Sequence, residues 1–178
     1  FNTEDKVRAA VAEGSPVRTA LETEISKTGG SVLYWQAYGG AIMLSNEGAI
    51  STPADLEGKK VRVFGKTLGD FVSSAGGAPT LISGSEQYLA YQRGTVDVGM
   101  TGVSGVKSRK LWEVMDTITV TNHANIEFVV VVNNDWWAGL SPEIQGHIRD
   151  AANVAQDNVR DRMAEIEAAA YAAAEDNG

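Results

Sequence analysis

Arg62 is the residue whose type and position best suit the binding of an acid. It lies in Lys60–Phe64, a β-branched and aromatic segment that predicts a strand. Alternation places Arg62 on the strand face opposite to Val61 and Val63. A guanidinium near the loop at the carboxyl end of a strand can hold a carboxylate through two parallel hydrogen bonds. The alternative, which the residues alone favour, is an edge-strand arginine whose side chain extends into water.

Two glycine patterns have the look of phosphate-binding loops, but neither has the required spacing. Gly65–Thr67 follows a predicted strand, yet a phosphate loop needs a further glycine five residues earlier, where this chain has Lys60. Gly99, Gly102 and Gly105 recur every three residues without the acidic residue that a dinucleotide fold requires. We predict a strand-to-helix turn with a solvated lysine in the first case. The second set is predicted to be flexible turn glycines, whose N–H groups can approach an anion.

The inventory of reactive side chains predicts neither an enzyme nor a metal or cofactor site. The chain has no cysteine and two histidines, which excludes disulfides, a cysteine nucleophile and multi-histidine metal sites. His123 follows Asn122 in a polar turn, where a surface or hydrogen-bonded role is favoured over that of a general base. His147 lies in a predicted helix and is expected to face solvent.

Length and charge restrict the classes of partner. The chain has 178 residues, 43% hydrophobic and 21% charged, a globular composition that fits one domain or part of a larger protein. Its net charge of −8 disfavours nucleic acid, because a negative field repels phosphates. The longest uncharged apolar run, Phe128–Val132, is too short to span a bilayer. No signal peptide is visible and Phe1 replaces an initiator methionine, so we expect a processed protein or a piece of one.

Helix and strand signals alternate along the chain. After a first helix over 4–12, Ser15 and Pro16 predict the N-cap and first residue of a second helix. Ser83 and Glu86 predict a capping box that opens a helix ending at Gly94. The remaining signals predict strands over 32–38, 60–64, 79–82, 96–98, 117–120 and 126–132, and helices over 68–75 and 104–115.

Two further patterns bear on the architecture. The strand over 126–132 is almost continuously β-branched, which is typical of burial on both faces. From Pro142 to about Asp176, apolar residues recur every three or four positions and predict one helix of about 35 residues, long enough to bridge two bodies. The alternation predicts an α/β fold with a mostly parallel sheet, in which ligands bind outside the carboxyl ends of the strands.

Seven short motifs in one order resemble the DctP-type solute-binding proteins of tripartite ATP-independent periplasmic (TRAP) transporters. Each motif is weak alone, but their order and spacing are specific and cover essentially the whole chain. The motifs are Pro53–Val63, Gly76–Pro79, Glu86–Ala90, Gly94–Asp97, Leu111–Val114, Thr121–His123 and Leu140–Ile144.

The resemblance implies a two-lobed, type II periplasmic-binding-protein fold with a long lobe-bridging helix. It assigns residues 1–37 to part of lobe I, 38–127 to lobe II and 128–167 to a return to lobe I. Residues 168–178 would end the long helix toward lobe II. It also implies that the chain is incomplete at both ends, since family members carry further elements before Phe1 and after Gly178.

The same resemblance implies site residues. Arg62 matches the family's carboxylate-binding arginine, and Tyr38, Gly65, Met100 and Thr101 fall at or beside pocket positions. The ligand site would lie in the cleft between the lobes.

Three departures from the sialic-acid-binding members of the family bear on the ligand. Those members have a second arginine at Ile42, Glu-Asn at Met100–Thr101 and phenylalanine at Gly84. A less charged pocket is therefore implied, for an acid smaller than sialate with an apolar or hydroxylated body.

The function implied by the resemblance is that of the periplasmic binding subunit of a TRAP transporter, with its signal peptide removed. It captures a small organic acid and delivers it to membrane permease subunits, without nucleic acid, membrane insertion or a cofactor. One alternative is the effector-sensing domain of a transcriptional regulator, which shares this general fold and needs an upstream helix-turn-helix. Another is a small α/β enzyme, against which the residue inventory argues.

Overall fold

The structure is a computed structural model that describes residues 3–178. Its strands are β1 (Gly30–Ser45), β2 (Lys60–Val63), β3 (Ala78–Leu81), β4 (Val98–Gly102), β5 (Thr117–Thr119) and β6 (Asn125–Asn133). Its helices are α1 (Glu4–Ala10), α2 (Pro16–Ser26), α3 (Lys66–Ser74), α4 (Gln87–Gln92), α5 (Val103–Arg109), α6 (Asn134–Ala138), α7 (Pro142–Asp161) and α8 (Met163–Glu175). Short 3-10 helices cover Pro53–Leu56 and Leu111–Glu113.

The chain divides into two compact units. Unit 1 comprises the chain up to Gly39 together with Asn125–Glu165, and unit 2 comprises Gly40–Ala124 and Ile166–Gly178. The chain therefore crosses from one unit to the other within β1, just before β6 and within α8. The lobe limits implied by the family resemblance stay a prediction.

The sheet is mixed, whereas the sequence predicted a mostly parallel one. The strand order is β3-β2-β4-β1-β5, and β6 also pairs with β1. β2 is parallel to β3 and to β4, but β1 is antiparallel to β4 and to β5. The physical reason is connectivity: α3 and α4 provide the crossovers that parallel pairing needs for β2, β3 and β4, and β1 and β5 join from outside that run.

The starts of α2 and α7 are where the sequence predicts them. Pro16 is the first residue of α2, and the Ser15 hydroxyl accepts a hydrogen bond from the Arg18 backbone N–H at 3.2 Å. Pro142 opens α7 in the same way, with the Ser141 hydroxyl accepting from the Ile144 N–H at 3.3 Å. These caps satisfy N–H groups that the first helical turn leaves without intrahelical acceptors.

Unit 2 has an apolar cluster on each face of its sheet. Val61 and Val63 of β2 belong to one cluster with Met43, Ile50, Leu56, Val72, Val98 and Met100. The other cluster contains Ile42, Leu44, Ala90, Tyr91, Val96, Val103, Val106, Leu111, Met115 and Ala170. Because successive residues alternate between faces, Arg62 projects to the face opposite to that of its valine neighbours.

The long helix predicted from Pro142 onward is interrupted. α7 ends at Asp161, Arg162 has φ −99° and ψ 4°, and α8 begins at Met163. The sequence contains no glycine or proline between residues 147 and 177 that would signal a break. Arg160 and Met163 on either side of the break are both buried, so packing around the junction replaces a sequence breaker as the cause.

β1 and β6 also depart from the sequence prediction. β1 extends beyond Tyr38, the predicted end of this strand, through Gly39 and Gly40 and into unit 2, and the Gly40 N–H donates to the Glu167 carboxylate at 2.9 Å. β6 was expected to be buried on both faces, but the Phe128 side chain is 49% exposed and Val131 is 51% exposed. These two residues lie on opposite faces of the strand, and Ile126 is the one residue of β6 that is buried, so the β-branched run reflects strand propensity rather than burial.

Two local predictions need correction. The Ser83 hydroxyl donates to the Glu86 carboxylate, but α4 starts only at Gln87 with Glu86 as its N-cap. The helix predicted over 104–115 breaks at Lys110, whose φ of 51° is left-handed.

Within residues 3–178 no helix combines the length and apolarity that a membrane span requires.

Candidate functional site

Arg62 lies in the interior of unit 2. It is 3% exposed, its Nε donates to the Ile82 carbonyl oxygen at 2.9 Å, and its Nη1 donates to the Met100 carbonyl oxygen. Its guanidinium carbon lies 5.2 Å from the centroid of the Phe64 ring. The structure excludes the edge-strand alternative, because β2 lies between β3 and β4 and the side chain is buried. The guanidinium is therefore fixed at the carboxyl ends of β3 and β4.

The strand register shows how unit 2 makes room beside Arg62. Arg62 is in register with Thr80 of β3 and with Gly99 of β4. A Cβ at Gly99 would overlap the Tyr91 hydroxyl and ring carbons, so only glycine fits there. Gly99 was expected to be a flexible turn glycine, but it lies within β4 and is required by close packing of an aromatic ring.

Tyr91 and Gln87 form a buried polar pair next to that strand. The Tyr91 hydroxyl donates to Gln87 Oε1 at 3.0 Å, and both side chains are buried. Burial raises the pKa of Tyr91, while the positive charges of Arg62 and Arg109 oppose that rise. Gln87 Nε2 has no hydrogen-bond partner among the described residues. The phenol is therefore a neutral hydrogen-bond donor at physiological pH.

The other predicted site residues of unit 2 take different positions. Gly65 is the N-cap of α3, with extended backbone and no atom within 4 Å of a built Cβ. The Met100 side chain belongs to the apolar core, and its carbonyl oxygen is the group that contacts Arg62. Thr101 is buried and pairs in register with Ile42 of β1. Arg62 and Met100 are thus in direct contact, and Gly65 begins the helix that follows β2.

Tyr38 belongs to unit 1. Its half-buried ring packs edge-to-face on Phe128, with centroids 4.9 Å apart and planes at 79°. It stands next to Gly39, the last residue of unit 1 in β1.

His123 has the hydrogen-bonded role that the sequence favoured. Its Nδ1 lies 2.7 Å from the Thr121 hydroxyl, and its ring stacks on Phe71 with centroids 5.7 Å apart. Burial lowers the pKa of His123, so the imidazole is neutral near pH 7. Its Nε2 is buried without a hydrogen-bond partner among the residues that the structure describes.

Sequence reasoning missed three residues around Arg62. Gln87 and Tyr91 are four apart on α4, the spacing at which helical side chains meet, and glycine inside a strand signals close approach of another group. The first signal could have predicted the contact between Gln87 and Tyr91, and the second could have predicted the close packing at Gly99. The position of Arg109, against Gly84, has no such local signal. Within residues 3–178, no three His, Cys, Asp or Glu side chains come together to hold a metal ion.

A buried cation at the carboxyl ends of parallel strands in an α/β fold is typical of proteins that bind a small anionic solute. The family comparison agrees with this class. Residues 1–178 match the model of bacterial extracellular solute-binding proteins, family 7 (DctP). The chain belongs to this family. This confirms the resemblance that the sequence motifs predicted, and it confirms the predicted extracytoplasmic location.

Curated relatives are longer than this chain. The 2,3-diketo-L-gulonate-binding periplasmic protein YiaO of Escherichia coli (strain K12) is 29% identical over 153 residues, 85% of this chain and 45% of the relative. The C4-dicarboxylate-binding periplasmic protein DctP of Rhodobacter capsulatus is 28% identical over 142 residues, 79% of this chain and 42% of the relative. The chain therefore spans less than half the length of these relatives.

Solved structures share the fold. A TRAP periplasmic solute-binding protein from Sulfitobacter sp. NAS-14.1, with bound β-D-galacturonate, superposes with a TM-score of 0.88 at 26% identity, covering 98% of this chain and 58% of that chain. One from Sulfurospirillum deleyianum DSM 6946, with bound succinate, gives a TM-score of 0.92 at 24% identity, covering 99% and 56%. The α/β, two-lobed fold predicted for this chain is confirmed.

Proposed function

We propose that this chain is part of the periplasmic solute-binding subunit of a TRAP transporter. The subunit binds a small organic acid through Arg62, encloses it and delivers it to the membrane permease. It carries out no covalent chemistry. The relatives described above include proteins named for a keto-acid sugar and for C4-dicarboxylates, and solved structures with bound galacturonate and succinate. Acids are the common chemistry of these ligands, which supports an acidic ligand here.

The buried guanidinium of Arg62 is the observation that carries this proposal. Its hydrogen bonds to the carbonyl oxygens of Ile82 and Met100 fix the orientation of the guanidinium in the interior of unit 2. A carboxylate bound to a fixed guanidinium gains charge-assisted hydrogen bonds of about 1.5–3 kcal/mol each. Exclusion of water strengthens that attraction.

The net charge of the chain is compatible with an anionic ligand. The excess of carboxylates gives a net charge of −8. Salt screens the field of exposed charges over about 8–10 Å, so remote carboxylates act weakly on a ligand in contact with a buried arginine. In the proposed site, Gly65 at the start of α3, Thr101 and Tyr38 lie beside the ligand.

Calorimetric titration of the full-length protein with succinate, D-galacturonate and other small acids tests this function. We expect Arg62→Ala to abolish measurable binding of the acid that the wild-type protein binds, and Arg62→Lys to restore it in part because the charge returns without the planar donor pair. Arg93→Ala is the matched control, since Arg93 is exposed on the same unit. Unchanged binding by a folded Arg62→Ala variant would remove Arg62 from the site.

A further inference from the structure

A second arginine lies close to the loop that Arg62 contacts. Arg109, the last residue of α5, lies against Gly84. A Cβ built on Gly84 would be 3.0 Å from Arg109 Nη2, 3.6 Å from Cζ and 3.9 Å from Nε. All three are guanidinium atoms, so the charged group itself rather than the aliphatic stem covers the glycine. A large side chain at position 84 would displace this guanidinium.

Both guanidinium groups contact the same three-residue segment. Arg62 Nε donates to the carbonyl oxygen of Ile82 at 2.9 Å, and Arg109 covers Gly84 two residues later. This segment follows β3 at its carboxyl end, the edge at which α/β proteins bind ligands. The positive charges of both arginines also act on the Tyr91 hydroxyl, where they oppose the rise of its pKa that burial causes.

The groups around this segment are rich in N–H donors. Gln87 is fully buried, and its Nε2 donates no hydrogen bond to any residue that the structure describes. Its Oε1 is occupied by the Tyr91 hydroxyl at 3.0 Å. Donors and positive charge together favour an anion rich in oxygen.

Given the proposed function, on which this inference rests, we propose that Arg109 is a second ligand-binding cation and selects acids that carry a second anionic group. Arg62 binds one carboxylate, and Arg109 attracts the other. The family resemblance had implied a less charged pocket from three departures together, at Ile42, at Met100–Thr101 and at Gly84. In the structure Gly84 has another role: because it has no side chain, the Arg109 guanidinium can pack against it.

The test uses full-length protein and acids matched in size but differing in charge, with calorimetric titration of succinate against butyrate and of phthalate against 2-methylbenzoate. We expect the wild-type protein to bind the dianion of a pair more tightly. Arg109→Gln should weaken dianion binding about tenfold or more and change monoanion binding less than about twofold. Arg109→Lys should keep most of the preference because the charge remains.

Two further variants keep the test decisive. Gly84→Phe should reproduce the effect of Arg109→Gln by displacing the guanidinium, and Arg93→Gln, at an exposed arginine of the same unit, should leave the preference intact. Thermal unfolding of each variant verifies that it is folded.

The inference is overturned if the wild-type protein binds each monoanion as tightly as its dianion. It is also overturned if Arg109→Gln weakens both members of a pair equally or neither, or if no acid of the panel binds. The proposed function fails separately, when a folded Arg62→Ala variant still binds the acids that the wild-type protein binds.

Discussion

The two units use buried arginines differently. In unit 1, Arg160 makes two hydrogen bonds to the Glu127 carboxylate, at 2.7 and 2.8 Å. In unit 2, Arg62 donates to the carbonyl oxygens of Ile82 and Met100. A carboxylate partner neutralises the field of a guanidinium, whereas a carbonyl oxygen is uncharged and only orients it. The two units therefore hold a buried arginine with different groups, an acidic side chain in unit 1 and backbone oxygens in unit 2.

The polar groups near these arginines follow the same division. In unit 1, the Gln156 side-chain oxygen accepts from the Trp35 backbone N–H at 3.1 Å and from Arg18, while Trp35 Nε1 donates to Glu22 at 2.8 Å. In unit 2, the Nε2 of Gln87 is buried without a hydrogen-bond partner among the described residues. Buried polar groups are normally satisfied, so the Nε2 of Gln87 is an exception that calls for an explanation.

The largest expected change in the free energy of unfolding is that of Arg160→Ala, which tests whether Arg160 supports the fold of unit 1. Arg160→Ala leaves Glu127 as a buried charge without this partner and should lower the free energy of unfolding by about 3–5 kcal/mol. Chemical denaturation measures the loss, and hydrogen exchange should show faster exchange in β6 and α7 than in β2 and β4.

Arg162→Ala is the matched control for that experiment. Arg162 and its partner Glu165 are 57% and 68% exposed, so this pair should contribute less than about 1 kcal/mol. Equal destabilisation by Arg160→Ala and Arg162→Ala would contradict the comparison between the units.

The next effect concerns the close packing beside Arg62. Gly99→Ala places a Cβ on the Tyr91 hydroxyl and should lower the free energy of unfolding by about 1–3 kcal/mol. Acid binding should weaken as well, because Gly99 is in register with Arg62. Gly65→Ala, at a glycine with open space, is the control and should change stability by less than about 0.5 kcal/mol. A Gly99→Ala protein with unchanged stability and unchanged acid binding would contradict this prediction.

A double-mutant cycle on Tyr91 and Gln87 should show an effect of similar size for the first single variant and a small net loss for the double variant. Tyr91→Phe leaves Gln87 Oε1 without its donor and should cost about 1–3 kcal/mol. Adding Gln87→Met removes the second polar group, so the double variant should recover most of that loss. Denaturant unfolding of the four proteins gives the coupling energy, and simple additivity of the two losses would contradict the pairing.

The smallest expected effect is a pH dependence from His123. Burial lowers its folded-state pKa below the ordinary 6.5, so the unfolded chain binds the proton more readily. Stability should therefore be full above about pH 6.5 and decrease as the pH falls from there toward the lowered folded-state pKa.

Unfolding measured between about pH 8 and pH 5 should show this decrease, and His123→Phe should flatten it. His147→Phe, at an exposed histidine, is the matched control. Identical pH profiles for the wild-type protein and His123→Phe would show that His123 does not contribute.

Local sequence signals predicted much of the secondary structure, but they could not predict contacts between segments that are distant in the chain. Ser15 and Ser141 mark helix starts correctly because a cap acts within its own turn. The break at Arg162 and the exposure of Phe128 were not predictable in this way, since neighbours distant in sequence decide them. Gly99 shows the same limit: its place in β4 depends on the ring of Tyr91.

By itself, the sequence determined the helix caps, the alternation of β2 that turns Arg62 away from Val61 and Val63, and the family to which the chain belongs. These features depend on residues within a few positions of each other or on ordered motifs. Only the tertiary structure decided that carbonyl oxygens orient Arg62 and that Gly84 admits the guanidinium of Arg109. Both contacts join segments far apart in the chain, and packing of the folded sheet and helices creates them.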